Sequence, residues 1–357
     1  MAALRLRDRD AIITKEGLIF RVFGYTHPLG AYICDVEYAP AEIFKSKNPK
    51  AFRNKGQSVF YKFYEDEGWK FIKNNFPQYM IFHEILRNNV VGIKHYNIAK
   101  VRKPKMELKK LISEEPKDEL LVALQNVLEL ATKHSGLSIE NFGVFGSLLH
   151  GFYHPKFSDI DFTIYGRGNM VKLREILQEL YEDEHSPFRN EFENDKSIEG
   201  KIWRFQNYSP KEFLQHQQRK MIYTLFNDEK SKRIIKTEFE PVKEWEEIGD
   251  KNLFGTKIVQ KGWVKMFARV IDDQDAPFIP SVYGVKPLKV LHGTNGAEEV
   301  TRVISYMDEF RMQVQKDDEV YVEGNLEEVA TSKGSFHQIT LTYCPRYYEQ
   351  VLKIKSV

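Results

Sequence analysis

The sequence predicts an α+β protein of more than one domain, on the strength of three observations. The chain has 357 residues, more than the roughly 100–200 residues of a single domain. Both ends of the chain read as short apolar or alternating runs separated by turn residues, a pattern typical of strands. The middle combines segments of helical spacing with short strands. We therefore expect a central domain of mixed sheet and helices, flanked by an amino-terminal α+β domain and a small carboxy-terminal β domain.

Composition excludes several classes of protein. Apolar residues form 42% and charged residues 29% of the chain, the balance of a globular protein rather than a disordered or fibrous one. The formal net charge is +2, so contact with a nucleic acid would have to be local. Two cysteines, Cys34 and Cys344, are too few for a disulfide framework or a zinc cluster. We expect them to be reduced thiols.

Export and membrane insertion are not expected. Residues 1–10 carry arginines and aspartates instead of the apolar stretch of a signal peptide. No window approaches the roughly 18 consecutive apolar residues of a membrane-spanning helix. The sequence therefore predicts a cytoplasmic protein without a membrane partner.

The amino-terminal α+β domain is predicted at residues 1–100, with a short helix over residues 65–74. Its predicted strands are residues 11–13, 18–23, 32–36, 59–64 and 79–82. Residues 101–115 are rich in lysine and arginine, and Pro104 is expected to interrupt regular structure, so we interpret them as a basic linker. Such a linker is either a solvated connector or a contact to a phosphate backbone.

The central domain is predicted at residues 116–250. Its expected helices are residues 116–134, ended by Gly136, then residues 170–184, and finally residues 210–226, capped by Ser209. Its expected strands are residues 141–145, 160–165 and 234–242. Residues 186–200 lack a clear period and are interpreted as a loop.

The carboxy-terminal domain is predicted at residues 255–357. Its expected strands are residues 264–271, 282–291, 300–308, 319–326 and 336–343. This many short strands in about a hundred residues resembles an oligonucleotide-binding (OB) barrel or a similar small β unit.

One segment of the central domain carries recognisable chemistry. A predicted strand leads into Gly146 and Ser147, and a second predicted strand then presents Asp159 and Asp161. Alternate side chains of an extended strand share a face, so the two aspartates point the same way while Ile160 packs into the core. Neighbouring carboxylates repel unless a cation neutralises them. Their oxygen atoms suit Mg²⁺ or Mn²⁺, and a glycine lets backbone amides approach a phosphate.

The order Gly-Ser, a short interval and Asp-hydrophobic-Asp resembles the signature of the DNA polymerase beta-like nucleotidyltransferase superfamily. The surrounding helices and strands extend the likeness over residues 117–242. The whole chain also resembles uncharacterised archaeal proteins that contain such a domain. The resemblance implies a polymerase beta-like nucleotidyltransferase core within the α+β fold.

The resemblance also implies roles for individual residues. Asp159 and Asp161 would bind two Mg²⁺ or Mn²⁺ ions, and Gly146 and Ser147 would hold the phosphates of a nucleoside triphosphate. The family requires a third metal-binding carboxylate on a later strand; Glu238 is favoured over Glu240, although an aspartate is commoner there.

Two further residues are counted with the nucleotide site. Ser158 precedes the first aspartate. Where many relatives carry an arginine before the glycine that follows the Gly-Ser turn, this chain has His150 before Gly151. Its charge near neutral pH depends on its surroundings.

These features predict an enzyme that transfers a nucleoside monophosphate from a triphosphate to an acceptor hydroxyl and releases pyrophosphate. RNA or DNA is the preferred acceptor, because the end of the chain resembles a barrel and the linker is basic. A protein or small-molecule acceptor is an alternative. A second class of function is a nucleic-acid-binding or regulatory protein that keeps the fold without turnover.

Overall fold

The computed structural model describes residues 4–83, 88–200, 203–249, 256–342 and 346–355. The chain divides into two compact units. The first unit contains residues 1–179 and 225–248, and the second contains residues 180–224 and 249–357. The described residues form mixed α+β structure with three sheets, of eight, five and six strands. This arrangement confirms the predicted α+β class.

An eight-stranded sheet opens the first unit. Strands β4-β5-β3-β2-β1-β8 lie side by side, and β7 pairs with β3 and with β6. The sequence-predicted strands and the short helix recur here with small shifts in their ends. The strands are β1 (Ala11–Ile13), β2 (Ile19–Val22), β3 (Ala31–Pro40), β4 (Phe52–Lys55), β5 (Ser58–Lys62), β6 (Met80–His83), β7 (Asn88–Lys94) and β8 (Lys100–Arg102). Helix α1 spans Glu67–Asn75.

The segment interpreted as a basic linker is mostly helix. Helix α2 spans Pro104–Ser113, with Pro104 in its first turn. The interpretation of Pro104 as an interruption was wrong, because proline fits the first helical turn, where its missing N–H is not needed. This helix packs closely on the next strand, since a Cβ atom at Gly143 would lie 2.7 Å from the backbone of Pro104.

Helix α3 (Glu119–Ser135) begins and ends within a few residues of its predicted boundaries. The Asp118 carboxylate accepts hydrogen bonds from the backbone N–H groups of Leu120 and Leu121, at 3.0 and 3.1 Å. Gly136 ends the helix in the left-handed conformation, at φ 66°, which glycine adopts without steric cost.

The rest of the first unit surrounds a second sheet. Its elements are β9 (Phe142–Val144), α4 (Gly146–His150), β10 (Ile160–Tyr165), α5 (Arg167–Glu182), whose last residues enter the second unit, and β13 (Arg233–Val242). Strand β10 lies between β9, which is antiparallel, and β13, which is parallel. The rings of Phe142, Phe162 and Phe239 meet at centroid distances of 5.5–6.4 Å and form part of the buried core.

Around residue 225 the chain passes from the second unit back into the first. The second unit begins with β11 (Phe188–Asn190) and α6 (Pro210–Lys220), and β12 (Tyr223–Asp228) spans the boundary. Ser209 caps α6 as predicted, and its hydroxyl accepts a hydrogen bond from Glu212 N at 3.2 Å. The predicted continuation of this helix to residue 226 was wrong, because Met221 adopts a left-handed conformation, at φ 53°, and an extended strand follows.

The carboxy-terminal part of the second unit is a closed barrel. Strand β14 pairs with both β15 and β17, so the order β14-β15-β16-β18-β17 returns to its start. Strands β16 and β18 are parallel, and the other neighbours are antiparallel. The strands are β14 (Lys257–Asp275), β15 (Ser281–His292), β16 (Val300–Ser305), β17 (Glu319–Thr331), β18 (Gly334–Leu341) and the unpredicted β19 (Val351–Ile354).

Two sequence-based expectations concern single features. Cys34 is buried as a free thiol, whereas Cys344 lies outside the described residues. Among the described residues, no helix combines the length and the apolar character of a membrane span.

Candidate active site

Strand β10 separates the core from the candidate site. Ile160, Phe162 and Ile164 are fully buried on one face, and Phe162 stacks on Phe239 of β13 with ring centroids 5.5 Å apart. By alternation, Asp161 points to the opposite face. Asp159 immediately precedes the strand and is exposed. The same alternation places both aspartates on the face away from the core.

The Gly-Ser turn lies directly against Asp161. Phe145 N donates a hydrogen bond to the Asp161 carbonyl at 3.0 Å. Gly146 then adopts φ +60°, and a Cβ atom at this position would collide with the carboxylate of Asp161. Only glycine therefore allows this close approach without strain. The structure brings together the two halves of the sequence motif, with Ser147 in the first turn of α4.

The parallel neighbour of β10 brings two more carboxylates to the same face. In the register of β10 and β13, Asp161 is paired with Glu238, and Thr163 with Glu240. Side chains of paired residues on adjacent strands point to the same face. Glu238 is partly exposed beside Asp161. Glu240 lies two residues further along the strand, is 5% exposed, and forms an ion pair with Arg9 at 2.7 Å.

The electrostatics of Asp161 reflect this crowding. Burial raises the pKa of its carboxyl from an ordinary 3.8 to about 7. The nearby positive charge of Lys62 acts against that shift, whereas the negative charges of Asp159, Glu240 and Glu37 add to it. A divalent cation bound here would offset both the cost of burying the Asp161 carboxylate and its repulsion by the neighbouring carboxylates.

The loop before Asp159 is a fixed turn. His154 N donates to the Ser158 hydroxyl at 2.8 Å, and Lys156 N donates to His154 Nδ1 at 3.1 Å. From β13, the Arg233 guanidinium donates to the carbonyls of Pro155 and Ser158 at 2.8 and 2.7 Å. Ser158 is thus held next to Asp159, and its hydroxyl already accepts a hydrogen bond within the turn.

His150 lies behind the turn instead of on its open side. The side chain is completely buried, and its ring packs against Tyr38 and Phe152 at centroid distances of 5.3 and 5.6 Å. Nη1 of Arg102 lies 3.3 Å from its Nδ1. This placement does not support the expected contact with a phosphate, because α4 ends by packing its last residue under the amino-terminal sheet.

The amino-terminal segment supplies site neighbours that the sequence did not indicate. Lys62 and Glu37 act electrostatically on Asp161, and Arg9 binds Glu240. Each is distant from the motif in the chain and lies in a stretch without a motif of its own. Their roles depend on how the first sheet packs, so no local signal could have identified them.

The donor chemistry fits a hard divalent ion. Asp159, Asp161 and Glu238 offer carboxylate oxygens on one face. Among the described residues, no three His, Cys, Asp or Glu side chains converge closely enough to enclose an ion by themselves. Such convergence is not required, because Mg²⁺ usually keeps several waters and takes further ligands from substrate phosphates.

Comparison with known proteins concerns the domain that contains these residues. Residues 126–239 match a family model described as a nucleotidyltransferase domain. Over 360 residues, the chain is 27% identical to an uncharacterized protein of Methanocaldococcus jannaschii, and the match covers 99% of this chain and 100% of that protein. No solved structure matches the chain. The predicted resemblance to the nucleotidyltransferase domains of the DNA polymerase beta-like superfamily is therefore confirmed for residues 126–239.

Proposed function

We propose that this chain is a metal-dependent nucleotidyltransferase that moves a nucleoside monophosphate from a triphosphate such as ATP to an acceptor hydroxyl. One observation carries the proposal. Gly146 lies against Asp161, and Glu238 is the registered neighbour of Asp161 on the parallel strand. A phosphate-binding turn thus adjoins a row of carboxylates.

Asp159, Asp161 and Glu238 would hold two Mg²⁺ or Mn²⁺ ions. When bound, such ions neutralise charge on the attacking and leaving oxygens of a phosphoryl transfer. Burial, together with the neighbouring carboxylates, raises the pKa of Asp161 to about 7, and this supports the assignment because a bound cation would stabilise the carboxylate form. Glu240 is less suited, since Arg9 already compensates its charge.

The remaining chemistry is positioning. Gly146 leaves room for the phosphates to approach the backbone, and the Ser147 hydroxyl can donate a hydrogen bond to a phosphate oxygen. The acceptor oxygen attacks the α-phosphorus, the bond to the β-phosphate oxygen breaks, and pyrophosphate leaves. Glu238 is the base we assign to the proton of the acceptor hydroxyl.

A nucleic acid, RNA or DNA, is the proposed acceptor. The closed strand order of the carboxy-terminal barrel, with its parallel pair β16 and β18, supports an OB-type fold. Proteins of that fold bind oligonucleotides across their second and third strands. Here the second strand, β15, exposes Lys286 and Lys289 beside Leu288 and Leu291. The lysines suit a phosphate backbone, and the leucines offer apolar contacts to bases.

The proposal is tested by incubating the full chain with each labelled triphosphate, Mg²⁺ or Mn²⁺, and RNA, DNA or no acceptor. Label transfer and pyrophosphate release are expected in the wild type and should be absent in Asp159→Ala and Asp161→Asn. Label on the chain itself or on a small molecule would redirect the acceptor assignment. Absence of transfer under every condition would leave a nucleic-acid-binding or regulatory protein with this fold.

A further inference from the structure

We propose that the amino-terminal sheet supplies a phosphate-binding cation, Lys62, to the nucleotide site. The inference rests on the proposed function and gives the first sheet a part in it. A lysine ammonium is a compact charge that binds phosphate oxygens well, and the ligand class is the polyphosphate of a nucleoside triphosphate.

The strand register fixes the face on which Lys62 lies. Lys62 is the last residue of β5, and its partner on the antiparallel strand β3 is Tyr38. Directly opposed residues of an antiparallel pair share a face. Phe60 is two residues before Lys62, so it also lies on that face.

This face packs on the motif. The Tyr38 ring lies 5.3 Å from the rings of both His150 and Phe152, and Phe60 lies 4.6 Å from Phe152. His150 ends the helix that begins at Gly146, and Phe152 begins the loop that leads to Asp159. These aromatic contacts therefore place the face that bears Lys62 beside the Gly-Ser turn.

Charge agrees with the packing. Lys62 lies near enough to Asp161 for its positive charge to attract the carboxylate. Lys62 is only partly buried, so its ammonium can still meet a ligand. Once divalent ions compensate the carboxylates that bind them, the phosphates bring new negative charge to the turn. Lys62 would then bind them in addition to the ions.

The test compares Lys62→Gln and Lys62→Arg with Lys70→Gln, a control on helix α1 whose lysine forms an exposed pair with Asp66. Affinity for the α,β-methylene analogues of the common ribonucleoside triphosphates is measured by equilibrium dialysis with Mn²⁺. We expect Lys62→Gln to weaken binding roughly ten- to hundredfold, and Lys62→Arg to restore much of the loss. Affinity for the corresponding nucleosides, which lack phosphates, should not change. The Lys70→Gln variant should match the wild type.

A second measurement separates the competing role. Mn²⁺ binding without nucleotide is followed by electron paramagnetic resonance, and thermal unfolding checks that each variant folds. The Lys62→Gln variant could bind Mn²⁺ more tightly than the wild type and bind the analogue with the same affinity as the wild type. In that case Lys62 is only a counter-ion, and the inference is overturned. If the wild type itself binds no analogue, the proposed function falls with it. If the wild type binds and transfers nucleotide while Lys62→Gln is indistinguishable, only the inference falls.

Discussion

The guanidinium of Arg9 lies 2.7 Å from the carboxylate of Glu240, and both side chains are buried in the first unit. This ion pair distinguishes Glu240 from Glu238, which lies two residues earlier on the same strand. Glu240 is tied to the amino-terminal segment, whereas Glu238 is partly exposed beside Asp161. The two residues are therefore expected to respond differently to substitution.

Replacing Glu238 tests its proposed role in catalysis. Glu238→Gln keeps the size of the side chain but removes its charge and its ability to accept a proton. We expect nucleotidyl transfer to fall by about a hundredfold or more, with little change in the melting temperature. Steady-state transfer assays and thermal unfolding on the same preparation measure both. A variant that retains wild-type turnover would remove Glu238 from the mechanism.

Replacing Glu240 tests its structural role. Glu240→Leu removes the 2.7 Å ion pair of the buried Arg9 and leaves it the more distant Asp8, at 3.6 Å; breaking a buried pair typically costs about 3–5 kcal/mol of folding free energy. The double variant Arg9→Met with Glu240→Leu should recover part of that loss, because the charge of Arg9 is removed together with that of Glu240, while Asp8 loses its contact with Arg9. Denaturant unfolding of both single variants and the double variant measures the coupling. Additive losses would mean that the pair is not energetically linked.

Two glycines with nearly the same backbone angle separate strain from function. Gly146 has φ +60° and Gly136 has φ +66°, but a Cβ atom would meet Asp161 at the first position and nothing within 4 Å at the second. We expect each alanine variant to lose about 1–2 kcal/mol of stability from the left-handed conformation. Only Gly146→Ala should also lose Mn²⁺ binding and transfer. Equal activity of the two folded variants would show that the contact with Asp161 does not matter.

The affinity for Mn²⁺ should depend on pH. Metal binding requires the carboxylate form of Asp161, and burial raises the pKa of this group to about 7. Affinity is therefore expected to rise with pH up to about 7 and to level off above it. Asp10→Asn is the matched control, because burial also raises the pKa of Asp10 to about 7. Its pH profile should follow the wild type, and a flat wild-type profile would contradict the prediction.

The stability of the metal-free protein should show the opposite trend. The folded-state pKa of Asp161 lies above its ordinary value of 3.8. Its protonated form therefore contributes stability that is complete below that value and is lost as the pH rises through about 7. Asp161→Asn should reduce the fall in melting temperature between pH 5 and pH 8, and Mn²⁺ should reduce it in the wild type alone. An unchanged slope in the variant would show that Asp161 does not carry this dependence.

The sequence by itself determined most elements of secondary structure and the centre of the site. Helices and strands have periods of 3.6 and 2 residues, and caps such as Asp118 and Ser209 act within a few residues, so these signals are local. The Gly-Ser turn and the aspartate pair lie close together in the chain for the same reason. Their juxtaposition, with Gly146 against Asp161, agrees with what the motif predicted.

Only the tertiary structure decided which distant residues surround that centre. The register of β13 on β10 pairs Glu238 with Asp161, and packing of the amino-terminal segment gives Glu240 its partner Arg9. The same packing buries His150 against Tyr38, the residue that is paired with Lys62. Strand register and sheet packing depend on contacts between residues far apart in the chain, and no local pattern of residue types specifies them.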